Sequence, residues 1–526
     1  MASVSRDSGG KAENKGVETH LSTLRRVDGV SGREPLFGIA ATRRIESEGR
    51  GSAGTSKSLM DRAGEAVARL ALALAPHAER ILVLAGPGNN GGDGLEAAAR
   101  LRAFGKEAAV VLLGDAAALP ADAARAHGRA REAGVTIGPW PPAIGEPPGL
   151  VIDALLGIGG SRPPSGDIAA AIGQTAAFAA RGIPVLAIDL PSGLDPDRGQ
   201  PLGEACVVAD HTLALIGARP GLFTASGRDY AGTVWTDSLG LDLTGHAPDA
   251  WLVGTGEVAR HLRQRRHAEH KGSFGDVAIV GGATGMAGAA LLAARSAHAA
   301  GAGRVFLELL DLEAATLVAD FERPELMLRP GWSRGAAATV ELCTVVCGCG
   351  GGEAVRAVLP RLVGLVSRLV LDADALNAVA TDTALRTVLA ARASRDRETI
   401  LTPHPLEAAR LLATTTQAVQ ADRLGAAKAL AERYRCTVVL KGSGSIVATP
   451  GEVPRICASG NASLATAGTG DVLAGWIAGR WRPGANAFDT ATLGVVEHGA
   501  AAGPASTEAL RAADLIERLY RAGAGG

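Results

Sequence analysis

Short apolar runs punctuate the chain, and alanine-rich stretches with helical spacing separate many of them. In the first half the runs are Ile81–Leu84, Ala108–Leu113, Leu150–Ile152 and Val185–Ile188. Each is short, unbroken and rich in branched residues, which predicts strands buried on both faces. A helical pattern begins at Thr42, and Met60, Ala63, Val67, Leu70 and Leu74 continue it on one face. Ala247-Pro248-Asp249 breaks the composition, and a basic stretch from Arg260 to Lys271 follows. A second alternating block then predicts strands at Val277–Val280, Val305–Leu307, Thr344–Val346, Leu369–Leu371, Thr399–Leu401 and Val438–Leu440. Alternating strands and helices predict parallel sheets covered on both faces, hence α/β domains. We expect two, over residues 36–248 and 252–526, with the boundary near residue 250. Residues 1–35 are polar and without hydrophobic period, which predicts a disordered tail.

Composition narrows the picture. The chain has 526 residues, 47% of them hydrophobic, with a formal net charge of −1. It can bury large cores, and it offers no electrostatic case for nucleic acid or an anionic membrane. No apolar run approaches the ~20 residues of a membrane span. The 70 glycines imply many close backbone approaches. The tail lacks the apolar core of a signal peptide, and Asp7, Glu13 and Glu18 argue against a transit peptide. Cys343, Cys347 and Cys349 raise a metal hypothesis, but no second ligand group at metal spacing follows. Together with Cys206, Cys436 and Cys457 they read as small hydrophobes in a reduced, cytoplasmic enzyme. Homo-oligomer formation is left open.

The first half's chemistry gathers after its strands, where ligands collect in open α/β sheets. Ile81–Leu84 leads into Gly86-Pro87-Gly88-Asn89-Asn90-Gly91-Gly92-Asp93-Gly94, read as a glycine-rich loop before a helix from Leu95. Such a loop aims backbone N–H groups and a helix dipole at an anion. Asp153 ends the third run, with Gly157-Ile158-Gly159-Gly160 behind it, and Asp189 ends the fourth, followed by Pro191-Ser192-Gly193. The Asn, Asp and Ser oxygens suit a hard cation, and Asp153 and Asp189 suit acid–base work. The plainer alternative is a set of helix caps and turn formers.

The second half ends its apolar pattern with Ala467-Gly468-Thr469-Gly470-Asp471 opening a helix. Backbone N–H groups there can form an anion hole for a phosphoryl group in flight, with Asp471 taking a proton from an attacking hydroxyl. Lys441-Gly442-Ser443-Gly444-Ser445 adds a second phosphate-friendly turn, although no Walker loop is present. His404 sits between two prolines after a strand, and Asp372 and Asp374 close another.

These motifs reach known families. The glycine–asparagine run, Val151-Ile152-Asp153-Ala154-Leu155-Leu156-Gly157 and Ile188-Asp189-Leu190-Pro191-Ser192-Gly193-Leu194-Asp195 resemble the NAD(P)HX epimerases, over about residues 40–245. Gly468-Thr469-Gly470-Asp471 resembles the ribokinase superfamily. His270-Lys271-Gly272-Ser273-Phe274-Gly275, Gly281-Gly282-Ala283-Thr284-Gly285, Leu371-Asp372-Ala373-Asp374 and Thr402-Pro403-His404-Pro405 narrow it to the ADP-dependent NAD(P)HX dehydratases, over about residues 255–520. One departure stands out: Gly348-Cys349-Gly350-Gly351-Gly352 replaces the Gly-Pro-Gly-Leu-Gly often found there.

The resemblance implies a Rossmann-like three-layer α/β/α domain followed by a ribokinase-like α/β/α domain. It implies that Asn89, Asn90, Gly91, Gly92, Asp93, Gly157, Ile158, Gly159, Gly160, Ser161, Arg162, Pro163 and Asp189 hold the hydrate in the first domain. Asn90, Asp153 and Ser192 would bind K+, with Asp189 and Asp153 catalytic. In the second domain Asp471 would be the base, Gly350, His404 and Asp471 would meet the hydrate, and Lys441, Gly442, Ser443, Gly444, Ser445 and Gly470 would hold ADP with Mg2+. The substrates implied are NADHX, NADPHX and ADP. From the anion-hole motif alone, a sugar or vitamin kinase fused to a binding domain remains the alternative, as does ATP in place of ADP.

Overall fold

The apolar runs become the centres of two sheets. The computed structural model describes residues 24–30, 32–51, 58–141, 146–261, 265–311, 319–504 and 507–524. Among them, the first sheet runs in the order Arg25–Arg26, Thr233–Asp237, His211–Leu215, Val185–Ile188, Leu150–Ala154, Arg80–Ala85, Glu107–Leu112, Thr136–Pro139. All neighbours are parallel except the first pair. The chain leaves Arg80–Ala85 toward one edge and returns on its other side at Leu150–Ala154. That reversal opens a crevice at the strand ends.

The second sheet runs Met327–Leu328, Arg304–Leu309, Asp276–Gly281, Thr344–Cys347, Arg368–Leu371, Glu398–Leu401, Thr437–Leu440, Ile446–Ala448, Arg455–Cys457, Ala250–Val253, Glu34–Leu36. It is parallel through Thr437–Leu440, which then pairs antiparallel with Ile446–Ala448. Its reversal lies between Asp276–Gly281 and Thr344–Cys347, where Gly282 N donates to Cys349 O and Ala283 N to Gly350 O. Gly348, Gly350 and Gly352 all have left-handed φ, so a glycine turn forms there with Cys349 within it.

Every strand expected from the pattern is present, often longer by a residue or two. The pattern missed other strands, including His211–Leu215 and Thr233–Asp237. The tail expectation over residues 1–35 needs correction at its described end. Arg25–Arg26 pairs with Thr233–Asp237 in the first sheet, and Glu34–Leu36 pairs with Ala250–Val253 in the second. Arg25 makes a double ion pair with Glu34, at 2.6 Å through each nitrogen, between the two strands. Too few residues lie in either strand to carry a period, so neither was visible.

The halves share one apolar cluster, in which Leu190, Leu194 and Leu222 join Leu440, Ile446 and Ile456. The helices Ala287–Ala299 and Thr469–Arg480 pack unusually closely. A Cβ on Gly475 would stand 2.0 Å from Ala293 O, and one on Gly479 would stand 2.3 Å from Ala297 O. Glycines four apart fall on one face of the helix, so the two backbones can meet.

Candidate functional site

The first crevice is a cleft of about 1300 Å3. The strand Arg80–Ala85 delivers Gly86, Pro87 and Gly88, and a helix starts at once with Asn89 and runs to Ala103. The glycine–asparagine run is therefore mostly first-turn helix, which corrects its reading as a loop ahead of Leu95. Glycine is needed there for close approach. A Cβ on Gly91 would stand 1.9 Å from Gly86 O, on Gly92 2.9 Å from Ala123 Cα, and on Gly94 2.6 Å from Ala154 Cβ. No side chain caps this helix from Gly88. Its leading N–H groups remain available to an anion.

Asn89, Asn90 and Asp93 line the cleft on that side, and Gly157, Ile158, Gly159, Gly160, Ser161, Arg162, Pro163 and Asp189 line the other. Gly91 and Gly92 pack inward. Asp189 adopts φ 67, a left-handed conformation uncommon for a non-glycine residue. Its carboxylate accepts from Arg219 Nη2 at 2.7 Å and from Ile158 N at 3.4 Å. Arg219 is buried; Nη2 also donates to Leu215 O, Nη1 donates to Gly217 O, and Nε has no partner among the described residues. Sequence reasoning missed it, because its partner Asp189 is 30 residues away and nothing local marks the pair. Asp93 has no hydrogen-bond or ion-pair partner among the described residues. Burial first, then the nearby charge of Asp189, pushes its pKa well above the usual carboxylate range.

Asp153 is fully buried and absent from the cleft wall. It accepts from Ser192 Oγ at 2.7 Å, Ser192 N at 2.9 Å and Leu155 N at 3.1 Å. Burial raises its pKa to about 6 against the lowering effect of those bonds. A carboxylate locked in this way is a poor proton shuttle for a ligand in the cleft, so the geometry does not support the catalytic role expected of it. Ser192 Oγ also accepts from Leu156 N at 2.9 Å, which ties the strand-end loops together.

The second cluster forms at the ends of four adjacent strands. Cys349 follows Thr344–Cys347, Asp372 follows Arg368–Leu371, Thr402 and His404 follow Glu398–Leu401, and Lys441 follows Thr437–Leu440. Gly468, at φ 89, starts the helix Thr469–Arg480 and brings Asp471 onto this row. Ligand atoms of Cys349, Asp372 and Asp471 lie within 4.8 Å of one another. Lys441 Nζ donates to Asp372 Oδ1 at 2.6 Å, and Thr402 Oγ1 donates to the same oxygen at 2.8 Å. A Cβ on Gly470 would stand 3.3 Å from Lys441 Nζ, so the helix start faces the ammonium. Burial, then the charge of Asp372, raises the Asp471 pKa to about 6, with Cys349 and Lys441 opposing. Cys349 is held well above the ordinary thiol value by burial and by both carboxylates, so its proton stays on sulfur.

His404 caps the helix Pro405–Leu412 through Nδ1 and pairs Nε2 with Glu407 at 3.2 Å. It is nearly half exposed at the rim of the cluster, and burial and Lys441 hold its pKa down. Gly350 is fixed by Met286 O, 2.7 Å from where its Cβ would be. Cys343 and Cys347 are buried in the core, as expected of small hydrophobes. Asp372, which holds the cluster together, was noticed in the sequence only as a strand-end acid.

Two α/β units, one with an open cleft beside paired carboxyls and one with a lysine–carboxylate cluster at a glycine-started helix, define a two-site enzyme. Residues 56–221 match the family model described as YjeF-related protein N-terminus, and residues 277–522 match the model for NAD(P)H-hydrate dehydratase. The bifunctional NAD(P)H-hydrate repair enzyme Nnr of Escherichia coli (strain K12) is 36% identical over 480 residues, 89% of each chain. The ADP-dependent (S)-NAD(P)H-hydrate dehydratase of Neisseria meningitidis serogroup B is 42% identical over 261 residues, covering 48% of this chain and 85% of that one. The solved ADP/ATP-dependent NAD(P)H-hydrate dehydratase from Bacillus subtilis is 28% identical, covers 50% of this chain and 94% of its own, and has a TM-score of 0.41. The chain belongs to the bifunctional NAD(P)H-hydrate repair enzyme family. Among the described residues, no helix is long and apolar enough to cross a membrane.

Proposed function

We propose that this chain repairs hydrated NADH and NADPH in two steps: the first domain interconverts the R and S epimers, and the second dehydrates the S form with ADP. The observation that carries the reading is Asp471, set on a glycine-started helix beside the Lys441–Asp372 pair. Hydroxide is a poor leaving group and phosphate a good one. Asp471 takes the proton of the ring hydroxyl as its oxygen attacks the terminal phosphorus of ADP, releasing AMP. Loss of that phosphate and a neighbouring ring proton restores the double bond. The N–H groups around Gly470 and the Lys441 ammonium face the transferring group and offset its charge. Lys441, Gly442, Ser443, Gly444 and Ser445 hold the nucleotide, and His404 and Gly350 border the hydrate.

Mg2+ is read as arriving on the nucleotide. A thiol at Cys349 is a poor ligand for a hard cation, and Lys441 already occupies Asp372. The cluster therefore does not fit a metal caged by protein alone.

In the first domain, Asp189 faces the hydrate with Arg219 behind it, and Asp93 opposite keeps its proton more readily. Two carboxyls in such different surroundings suit the removal and return of a proton. The uncapped helix start at Asn89 receives a phosphate of the dinucleotide. Asn90 Nδ2 is buried without a partner while its Oδ1 lies beside Gly157, and turning that amide would put the oxygen where the unpartnered nitrogen stands. With the Asp153 carboxylate and Ser192, this makes an all-oxygen donor set that fits K+. A bound potassium ion would supply positive charge for the hydrate and for Asp153. In this reading Asp153 and Ser192 position the loops around the cleft.

The test is to incubate the chain with NADHX and ADP and follow absorbance in the NADH band. Recovery is expected from the wild type and not from Asp471→Ala. No recovery by the wild type overturns the function, and full recovery by the variant overturns the base.

A further inference from the structure

The turn Lys441–Ser445 is built by both halves of the chain. Arg423 is buried, and it has no carboxylate partner among the described residues. Its nitrogens go to neutral oxygens: Nη2 to Lys441 O at 3.2 Å and Leu440 O at 3.4 Å, Nη1 to Gln420 Oε1 at 2.8 Å, and Nε to Thr224 Oγ1 at 3.2 Å. Thr224 belongs to the first half and is itself buried. Its hydroxyl hydrogen is shared between Ser443 O at 3.3 Å and Gly444 O at 3.4 Å, and Ala225 N donates to Ser443 O at 3.2 Å. Gly444 has φ 59, and a Cβ there would stand 2.0 Å from Phe223 O. The turn thus meets the first domain along its backbone, through one hydroxyl that accepts from Arg423 and donates to the turn.

Phe223 and Thr224 are also connected to the first site. The segment Pro220–Phe223 directly follows Arg219, whose guanidinium holds Asp189. At its other end the turn begins with Lys441, whose ammonium holds Asp372 beside Asp471. A buried guanidinium whose acceptors are backbone carbonyls fixes those carbonyls, because leaving a buried N–H unpaired is costly.

We infer that Thr224 and Arg423 are positioning residues for the nucleotide turn, so that the first domain completes the ADP site of the second. The inference rests on the reading of Lys441 to Ser445 as nucleotide-binding. Thr224 fixes the carbonyls of Ser443 and Gly444, and Arg423 fixes that of Lys441.

The test uses the full chain with Thr224→Ala, Thr224→Ser and Arg423→Lys. ADP with Mg2+ is titrated calorimetrically without hydrate, and dehydration and epimerisation rates are measured separately. Thr224→Ala is expected to weaken ADP binding, and to raise the KM for ADP, by roughly threefold to tenfold, the size of one net hydrogen bond. The kcat at saturating ADP and the epimerisation rate stay at wild-type values, and Thr224→Ser restores ADP binding. Where Thr224→Ala lowers the yield of folded protein, Arg423→Lys, which keeps the charge and loses the fork, carries the same expectation. Wild-type ADP affinity in Thr224→Ala and Arg423→Lys overturns the inference, as does a Thr224→Ser variant as weak as Thr224→Ala. A wild type that binds no ADP overturns the nucleotide reading itself.

Discussion

Replacing Lys441 by Met and, separately, Asp372 by Asn should move the pH dependence of dehydration in opposite directions. Asp471 must be ionised to accept a proton, so activity falls as pH drops through its pKa of about 6. Carboxylate oxygens of Asp372 and Asp471 lie within 4.8 Å. Two unit charges at that separation repel by about 3.5 kcal/mol at an effective dielectric of about 20. That corresponds to about 2.5 pKa units. Lys441, 2.6 Å from Asp372, cancels much of this in the wild type. In Lys441→Met the repulsion stands uncompensated, and solvent reaching the half-buried Asp471 reduces it to about one unit. The acid limb should therefore rise to about 7. In Asp372→Asn the repelling charge is gone and Lys441 is free to favour ionised Asp471, so the limb should fall to about 5. The assay is kcat/KM for NADHX at saturating ADP across pH, read as NADH absorbance. Acid limbs that stay at the wild-type position, or that move in the same direction, would refute Asp471 as the titrating base coupled to this pair.

Asp471→Asn should cut dehydration by about 10²- to 10⁴-fold, the usual worth of a general base, and leave epimerisation at wild-type rates in a proton-exchange measurement by NMR. Asp189→Asn should do the reverse, slowing epimerisation by about 10²-fold or more; an unchanged rate would remove it from the first site. Asp153 is fully buried with a folded pKa of about 6, raised from 3.8, so the folded state binds the extra proton between those values. Its contribution to stability should decline as pH rises from about 4 to above 6. Asp153→Asn should flatten that part of a melting-temperature profile recorded without potassium. Gly475→Ala should cost about 1–3 kcal/mol by overpacking against Ala293 O, seen as a lowered denaturation midpoint.

What the sequence reveals follows from how local each signal is. The central strands were legible because burial on both faces leaves uninterrupted runs such as Val185–Ile188. Asp189 and Asp471 were legible because they end such a run or open a glycine-started helix. The six residues from Asn89 to Gly94 were misjudged because glycine is ambiguous. It permits a turn, and equally it permits a helix to press against a carbonyl, as Gly91 does against Gly86. Asp153 looked like Asp189 in the chain, yet one is sealed by Ser192 and the other opens to the cleft. Arg219, Arg423 and Thr224 gain their meaning from partners distant in sequence, and no spacing rule reaches across such gaps.

The strand Glu34–Leu36 has a consequence for the order in which the molecule is made. It leaves the ribosome ahead of most of the first sheet, yet its partner Ala250–Val253 emerges only after the first sheet's strands have been synthesised. Until then its edge is unsatisfied while the neighbouring Arg25–Arg26 awaits Thr233–Asp237. Closing the N-terminal segment is therefore a late event that seals both sheets. Cutting the gene at residue 250 would leave one fragment with an orphan strand and the other with a bare sheet edge, a ready template for aggregation.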